Sequence, residues 1–536
     1  MSHLSIPRLL VLIAAVGALL LAPALRTSAA SRTRAPAPSV SGTLTVNVGY
    51  EPASLDPAVD WDTGGETYIA AVYDTLFRAV GATRVSLKPG LATRWSVSRD
   101  GKTYTVTLRS GVHFHDGSTL NAQAVKFSFD RFLKAKQGSY GIFSEIKRVQ
   151  AVGAHTVKFV LTYPFASFPQ TLAMIDGPEI VSPKTVGSHQ IASNGASYLD
   201  SHDAGTGPYE LVSYLHNQRI VLKAFPGYWG GWKGKHFAKV VLQWPASSST
   251  QRLRLQQGTL DGTITMTPED FAAVSHSSGI QVQTHTAQTI FDVRINTTKH
   301  GLNNVHVRRA LSYAYDYNGV VQGVFRGLAA KMRGVGPTGL KNFFPASHPY
   351  TFDLAKAQAE LKAAGSAGKN LTFTVSYLPD DTPSIQAAQI FQADCAKIGI
   401  KINLQGIPIA TYSNIVTKPS TDPDIWFGQW TMDYADDAEM YWSYFYSKNT
   451  PNNGANVMYY KDHVVDELLL KAQHATSEAK AAPYWKAAVN RIYQAAPEIW
   501  TVQPREQIAL RSNIGGYQYS FLFSKFYWPV YSMYRK

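Results

Sequence analysis

A single cysteine in 536 residues excludes an intramolecular disulfide and any metal site built on paired thiolates. Cys395 falls in a stretch that reads as a helix over 384–398, where Phe391, Cys395 and Ile398 recur at helical spacing. With no neighbour placed to activate its thiol, it reads as a small buried hydrophobe. Charged residues are sparse as well, at 16% against 45% hydrophobic and 12% aromatic, which excludes a disordered chain and implies well-packed globular domains. No Gly-flanked serine elbow, phosphate-cradling loop, HEXXH or zinc-ligand spacing occurs, so no catalytic residue, metal or cofactor is expected and the chain does not read as an enzyme. His113, His115 and Asp116 stand close enough to suggest a metal. The Asp116-Gly117 turn accounts for the carboxylate, however, and no third histidine is positioned to complete a site.

The formal net charge of +14 raises nucleic acid or an anionic surface as a partner. Lys and Arg are nevertheless scattered singly, and the densest cluster, Lys233 to Lys239, is interrupted by apolar residues. No basic stripe or nucleic-acid motif appears, so the excess reads as surface adaptation and no nucleic-acid partner is expected.

Long apolar runs are rare too; the clear one is residues 9–25, preceded by Arg8 and followed by Ser28 and Ala30. That pattern reads as a secretory signal over 1–30, which sends the chain to an extracytoplasmic location, with retention as a membrane anchor the alternative for a run this short. No cysteine follows the run, which excludes lipid attachment at a new N-terminal Cys. Residues 31–42, rich in Pro, Ser and Arg, read as a flexible leader.

What remains is long enough for two to four domains at roughly 100–200 residues each. Leu44, Val46, Val48 and Tyr50 alternate with polar residues, as a strand with one buried face requires. Residues 70–77 read as a helix, and the stretch that follows reads as two hairpins turned at Asp100-Gly101 and Asp116-Gly117. Asn121 is placed to cap a helix whose Val125, Phe129, Phe132 and Leu133 form an apolar stripe.

The stretch 424–437, DIWFGQWTMDYADD, reads as a buried strand that runs into an aromatic, acidic elbow. Ile425, Phe427 and Gln429 share one face and Trp426, Gly428 and Trp430 the other, which delivers Asp433 just past the strand end. A carboxylate between Trp430 and Tyr434 would be desolvated enough to hold an ammonium group strongly; the alternative is a buried Asp that caps a turn. Asp433, Asp436, Asp437 and Glu439 also admit a secreted glycosidase, although two carboxylates of such an enzyme must converge from different places. A structural or chaperone-like envelope protein would leave the aromatic elbow unexplained.

The run PGLATRWSVSRDGKTYTVTLRSGVHFHDGSTL resembles the signature region of the extracytoplasmic solute-binding proteins of family 5, the oligopeptide- and dipeptide-binding components of ABC importers. SLDP at 54–57, GTGPYEL at 205–211, FPGYWGG at 225–231, INTTK at 295–299, VRRALSYAYD at 307–316 and KIGIKI at 397–402 follow in the family's order. The pattern departs in places. NAQAV puts Ala124 where relatives supply a second capping contact, DYADD replaces two prolines of the elbow with Ala435 and Asp437, and Ser384, Ile385 and Gln386 stand where dipeptide-binding relatives carry an arginine that clamps the ligand carboxylate.

The resemblance implies a periplasmic-binding-protein-like α/β fold, with two lobes closing over a ligand cleft and a smaller inserted domain. It places the first lobe at 43–70, 204–288 and 504–536, the insertion at 71–203 and the second lobe at 289–503. It implies a monomer that captures peptides, oligopeptides above all, and delivers them to a membrane permease; relatives also carry other solutes, so an oligosaccharide is the alternative. Carried onto this chain, Trp430, Thr431 and Asp433 form the ligand-contacting elbow, with Asp433 on the peptide ammonium. Trp61, Asp62 and Thr63 meet the ligand from the other lobe, and Asn296, Tyr434 and Trp442 stand nearby.

Overall fold

The computed structural model describes residues 39–536, apart from 63, 82–84, 190, 194, 245–246, 433, 435, 452–453 and 521–526. The apolar run at 9–25, Thr63 and Asp433 therefore lie outside the described residues. Within them, no helix is long and apolar enough to cross a membrane.

Two lobes meet along one strand, Glu498–Arg511. It is the centre of a sheet with twelve strands among the described residues. Its first residues pair antiparallel with Ile290–Ile295, from Arg294 opposite Glu498 to Phe291 opposite Val502. Its last residues pair with Ile280–Thr286 and Gly262–Thr263. On the far side of Ile290–Ile295 lie Ile425–Trp430, Thr372–Tyr377 and Lys401–Gly406; beyond Gly262–Thr263 lie Thr43–Asn47, Lys239–Gln243, Arg219–Ala224 and Tyr209–Leu215.

The local chemistry of each half follows from its sequence. Leu44 and Val46 are fully buried and Val48 nearly so, which is the inward face that the alternation at the N-terminus requires. Thr372–Tyr377 runs parallel to both Lys401–Gly406 and Ile425–Trp430, and the helix Thr382–Lys397 makes the crossover that a parallel pair needs. Phe391 and Cys395 are fully buried on that helix's inner face, together with Ser384, Ala387 and Ala388, and burial pushes the Cys395 thiol well up, away from the reactive thiolate.

A separate antiparallel sheet, ordered Ala92–Val97, Thr103–Leu108, Thr156–Leu161, Ile146–Ala151, lies in the stretch expected to be the insertion. The helix Ala122–Ala135 packs on it, and Asn121 Oδ1 accepts from the Ala124 N–H at 2.9 Å as its cap. Phe129 meets Phe159 edge-on at 4.8 Å and Phe143 at 6.5 Å, which makes this face the domain's core.

The helix expected at 70–77 sits instead at Glu66–Val72. It stops at Tyr73, whose backbone is extended, and the buried Asp74 that follows is held by side-chain donors: its carboxylate accepts from Arg78 Nη2 at 2.8 Å, Trp229 Nε1 at 2.7 Å and Thr206 Oγ1 at 3.0 Å. Phe77 then opens a strand, Phe77–Val80. The apolar spacing through Leu76 and Phe77 is common to helix and core strand, so periodicity alone could not place this boundary. The same corner explains the GTG of the 205–211 motif, since a Cβ on Gly205 would lie 1.8 Å from the Val72 carbonyl oxygen.

Candidate functional site

The elbow is delivered by the strand Ile425–Trp430, whose register sets which side chains share a face. Trp426 lies opposite Arg294, Gly428 opposite Asp292 and Trp430 opposite Ile290. All of Ile290–Ile295 is buried, including Asp292 at 0% and Arg294 at 9% exposure, so these two charges lie beneath the elbow and not in water. Arg294 Nε donates to Asp292 Oδ2 at 2.9 Å and Nη2 donates to the Gln429 carbonyl at 2.8 Å. The Tyr444 hydroxyl donates to the same Asp292 oxygen at 2.9 Å. Burial works against the guanidinium, yet the Asp292 carboxylate beside it raises its pKa well above the ordinary arginine value. Glu498, opposite Arg294 and fully buried, is pushed well up by burial and by Asp292, and so holds its proton. The result is one compensated ion pair with a neutral acid beside it.

Aromatic rings complete the surface above this pair. Trp426 stacks on Tyr412 at 3.7 Å, and Gly428 leaves room for the indole, since a Cβ there would lie 2.6 Å from Trp426 Nε1. Trp430 leans on Tyr444 at 4.7 Å, and its indole N–H has no hydrogen-bond partner among the described residues. An unpaired, buried donor on a half-exposed ring is costly unless something supplies an acceptor. Thr431 Oγ1 lies 2.7 Å from Thr289 Oγ1, and the Met432 carbonyl accepts from Gln288 Nε2 at 2.7 Å. Tyr434 is buried, its carbonyl accepting from Asp436 N–H at 2.9 Å.

The elbow is therefore tied to Gln288, where two stretches distant in sequence meet. Next to Gln288, the Ala287 N–H donates to the Pro504 carbonyl at 3.0 Å and Gln503 Nε2 donates to the Ala287 carbonyl at 2.6 Å.

The remaining expected positions behave differently from one another. Trp61 is 53% exposed, while the neighbouring Asp62 folds its own loop: Oδ2 accepts from Ala53 N–H at 2.8 Å and Oδ1 from Gly64 and Gly65 N–H at 2.7 and 3.2 Å. Trp442 stacks on Tyr446 at 4.0 Å on a π-helical turn, Ala438–Trp442. Asn296 spends its amide internally: Nδ2 donates to the Pro419 carbonyl at 2.9 Å and to Asp422 at 3.3 Å, and Oδ1 accepts from Thr298 N–H and Oγ1 at 3.2 and 2.6 Å. Elsewhere, His115 Nδ1 lies 2.6 Å from Asp203 and Nε2 lies 3.0 Å from the Gly207 carbonyl, while Asp116 accepts from Ser118, Ser182 and Thr185. Those contacts tie two loops together and occupy the imidazole on both sides.

Sequence reasoning did not find the Asp292–Arg294 pair. FDVRIN alternates as a half-exposed strand does, and only the fully buried position of the strand turns its polar face inward.

Comparison with known proteins adds four findings. The family described as bacterial extracellular solute-binding proteins, family 5 Middle, matches residues 86–452. The probable D,D-dipeptide-binding periplasmic protein DdpA of Escherichia coli strain K12 is 30% identical over 483 residues, 89% of this chain and 91% of its own length. Among solved structures, HbpA2 from Haemophilus parasuis superposes with a TM-score of 0.79 at 27% identity, covering 92% of this chain and all of its own. The ABC transporter-associated periplasmic binding protein DppA of Helicobacter pylori, in complex with the peptide STSA, superposes with a TM-score of 0.76 at 26% identity, over 93% of this chain and 98% of its own.

Proposed function

Because this chain belongs to the bacterial extracellular solute-binding proteins of family 5, we propose that it captures peptides between its two lobes and delivers them to the membrane permease of an ABC importer. It performs no chemistry and works as a monomer outside the cytoplasm, reached through a signal at 1–30. In this reading the lobes divide at 43–70, 204–288 and 504–536 against 289–503, with 71–203 inserted. The observation that carries the peptide reading is the Helicobacter pylori relative that holds STSA and matches this chain over 93% of its length.

The elbow supplies the contacts. Trp430 offers its unpaired N–H and an indole face, Thr431 a hydroxyl, Tyr434 and Trp442 aromatic surface, and Asp433 the carboxylate for the peptide ammonium. Trp61, Asp62 and Thr63 approach from the opposite lobe. An extended peptide would pair its backbone with protein backbone as an added strand, while hydrated aromatic pockets take varied side chains. Asn296, whose amide is fully engaged inside the second lobe, braces the site and does not touch the peptide. At the other end of the peptide, Ser384 donates to Asp381 at 2.6 Å, so the start of the helix Thr382–Lys397 presents acids and no arginine. Longer peptides, whose carboxylate lies elsewhere, are accordingly favoured over dipeptides.

Calorimetry on one tetrapeptide in free, N-acetylated and C-amidated forms tests this. Acetylation removes one partner of a desolvated charge pair and is expected to cost about 2–5 kcal/mol, with Asp433→Asn costing a similar amount and the two losses not adding. Amidation is expected to cost little. Equal binding of the free and acetylated forms would overturn the ammonium anchor and favour a solute without an amino terminus, such as an oligosaccharide.

A further inference from the structure

Immediately after the elbow, two consecutive carboxylates are buried in a setting with little to neutralise them. Asp436 and Asp437 are 4% and 3% exposed. Asp436 Oδ1 accepts from Ser167 Oγ at 2.5 Å and from Ala438 N–H at 3.0 Å. Asp437 accepts from Asn342 N–H at 3.1 Å and from the Asn342 side-chain amide. Ser167 belongs to the inserted stretch and stands 269 residues from Asp436 in sequence, whereas Asn342 comes from a loop of the second lobe. A second bond runs parallel to the first: Gln170 Nε2 donates to Glu478 Oε1 at 2.7 Å.

The charges that face this pair are few. Lys341 acts on both aspartates, but its ammonium is held in an ion pair with Glu478. Tyr441, with its hydroxyl donating to the Asn342 carbonyl at 3.2 Å, lies beside Asp437. Gln473 and Trp485 close the remaining sides, and the cavity they share with the aspartates measures about 10 Å³. That is space for about one water and no solute. The two acids therefore bind no ligand themselves, and what they do must be done through the elbow.

We propose that Asp436 and Asp437 are positioning residues for solute capture: holding one proton between them, they latch the elbow to Ser167 of the inserted domain and to the Asn342 loop, so that forming the latch takes up a proton. The proposal rests on the elbow being the solute-contacting segment. Burial pushes both carboxyls up, Asp437 to about 7 from the ordinary 3.8, with ionised Asp436 adding to the shift. In the released state both return to water. A carboxyl whose pKa is raised in the latched state favours that state fully below its ordinary value, and the benefit is lost as pH rises through about 7. Raising the pH from 6 to 8 is therefore expected to weaken the latch by about tenfold.

Amide hydrogen exchange on the ligand-free full chain, corrected for intrinsic rate, reads the latch at residues 438–445. Protection there is expected to be about tenfold greater at pH 6 than at pH 8. Asp437→Asn should flatten this dependence, and Ser167→Ala should lower protection at pH 6 while leaving the protection of the strand Thr372–Tyr377 unchanged. Calorimetry with tetra-alanine at the two pH values provides the second readout, with affinity expected to follow protection. Protection that is the same at both pH values, or a wild-type slope retained in Asp437→Asn, overturns the latch even if the peptide binds. A pH-dependent latch in a chain that binds no peptide would instead overturn the peptide reading and leave the latch standing.

Discussion

Two pairs of acids flank the elbow, one from neighbouring strands and one next to it in sequence, and they are handled in opposite ways. Beneath it, Asp292 is neutralised by Arg294 at 2.9 Å, with Glu498 kept neutral beside them. Behind it, Asp436 and Asp437 face a serine and an asparagine, and their nearest cation is bound to Glu478. A buried carboxylate tied to a guanidinium keeps its counter-charge beside it and fixes what it touches. One that relies on neutral donors must hold a proton to be comfortable, and its grip then depends on pH. The elbow is thus anchored rigidly on the sheet side and, in the latch proposed above, conditionally on the side of Ser167.

Removing the cation should produce the largest effect. Arg294→Met leaves Asp292 buried without its counter-charge, and urea denaturation is expected to show a loss of about 3–5 kcal/mol. A loss below about 1 kcal/mol would mean that the pair is not the anchor described. Next comes Trp430→Ala, which strips the aromatic surface that the anchored strand presents. Peptide affinity should fall by about 2 kcal/mol, as expected for a central aromatic contact, with near-UV circular dichroism otherwise native-like.

The conditional side should be visible in the wild type as a pH slope. Asp437 titrates near 7 when folded and near the ordinary 3.8 when unfolded, so its contribution is greatest at low pH and falls as pH rises through 7. From pH 6 to pH 8 the chain should lose about 1 kcal/mol of stability, and Asp437→Asn should remove that slope. A slope of opposite sign in the wild type would reverse the assignment. The smallest effect belongs to Thr431→Val, which breaks a hydroxyl pair at 2.7 Å with Thr289 on a half-buried surface. About 0.5–1.5 kcal/mol of stability is expected to go with it.

These two anchors also differ in how far they could be read from the chain. The strand Ile425–Trp430, its two faces, the Asn121 cap and the helix around Cys395 follow from local periodicity, and all four are legible within a dozen residues. Asp292 and Arg294 are visible in the sequence, but their inward direction depends on Ile290–Ile295 being flanked on both sides, which no local pattern reports. The Ser167–Asp436 contact joins residues 269 positions apart and carries no local signal of any kind. The helix at Glu66–Val72 was displaced from its expected place by Asp74, whose partners Thr206 and Trp229 are likewise distant in sequence. Periodicity reports what a segment does with its own neighbours; tertiary partners decide where it stops and which of its charges are buried. The two-lobe arrangement came from resemblance in the order of motifs, and the expected contacts at Asp433 and Thr63 fall on residues outside those described.

The strand Glu498–Arg511 has a consequence for how the chain is made. Its first residues lie between Ile290–Ile295 and Ala329–Lys331 and its last between Gly262–Thr263 and Ile280–Thr286, and every one of these partners precedes it in the sequence. Until it emerges, the partners on both sides present unpaired edges, and neither half of the sheet can complete its ladder. The contacts that would commit the chain to its native topology span hundreds of residues, and such pairings form slowly. A nascent chain consequently keeps these partners without their shared neighbour until Glu498–Arg511 is made, and that one strand then completes both halves of the sheet.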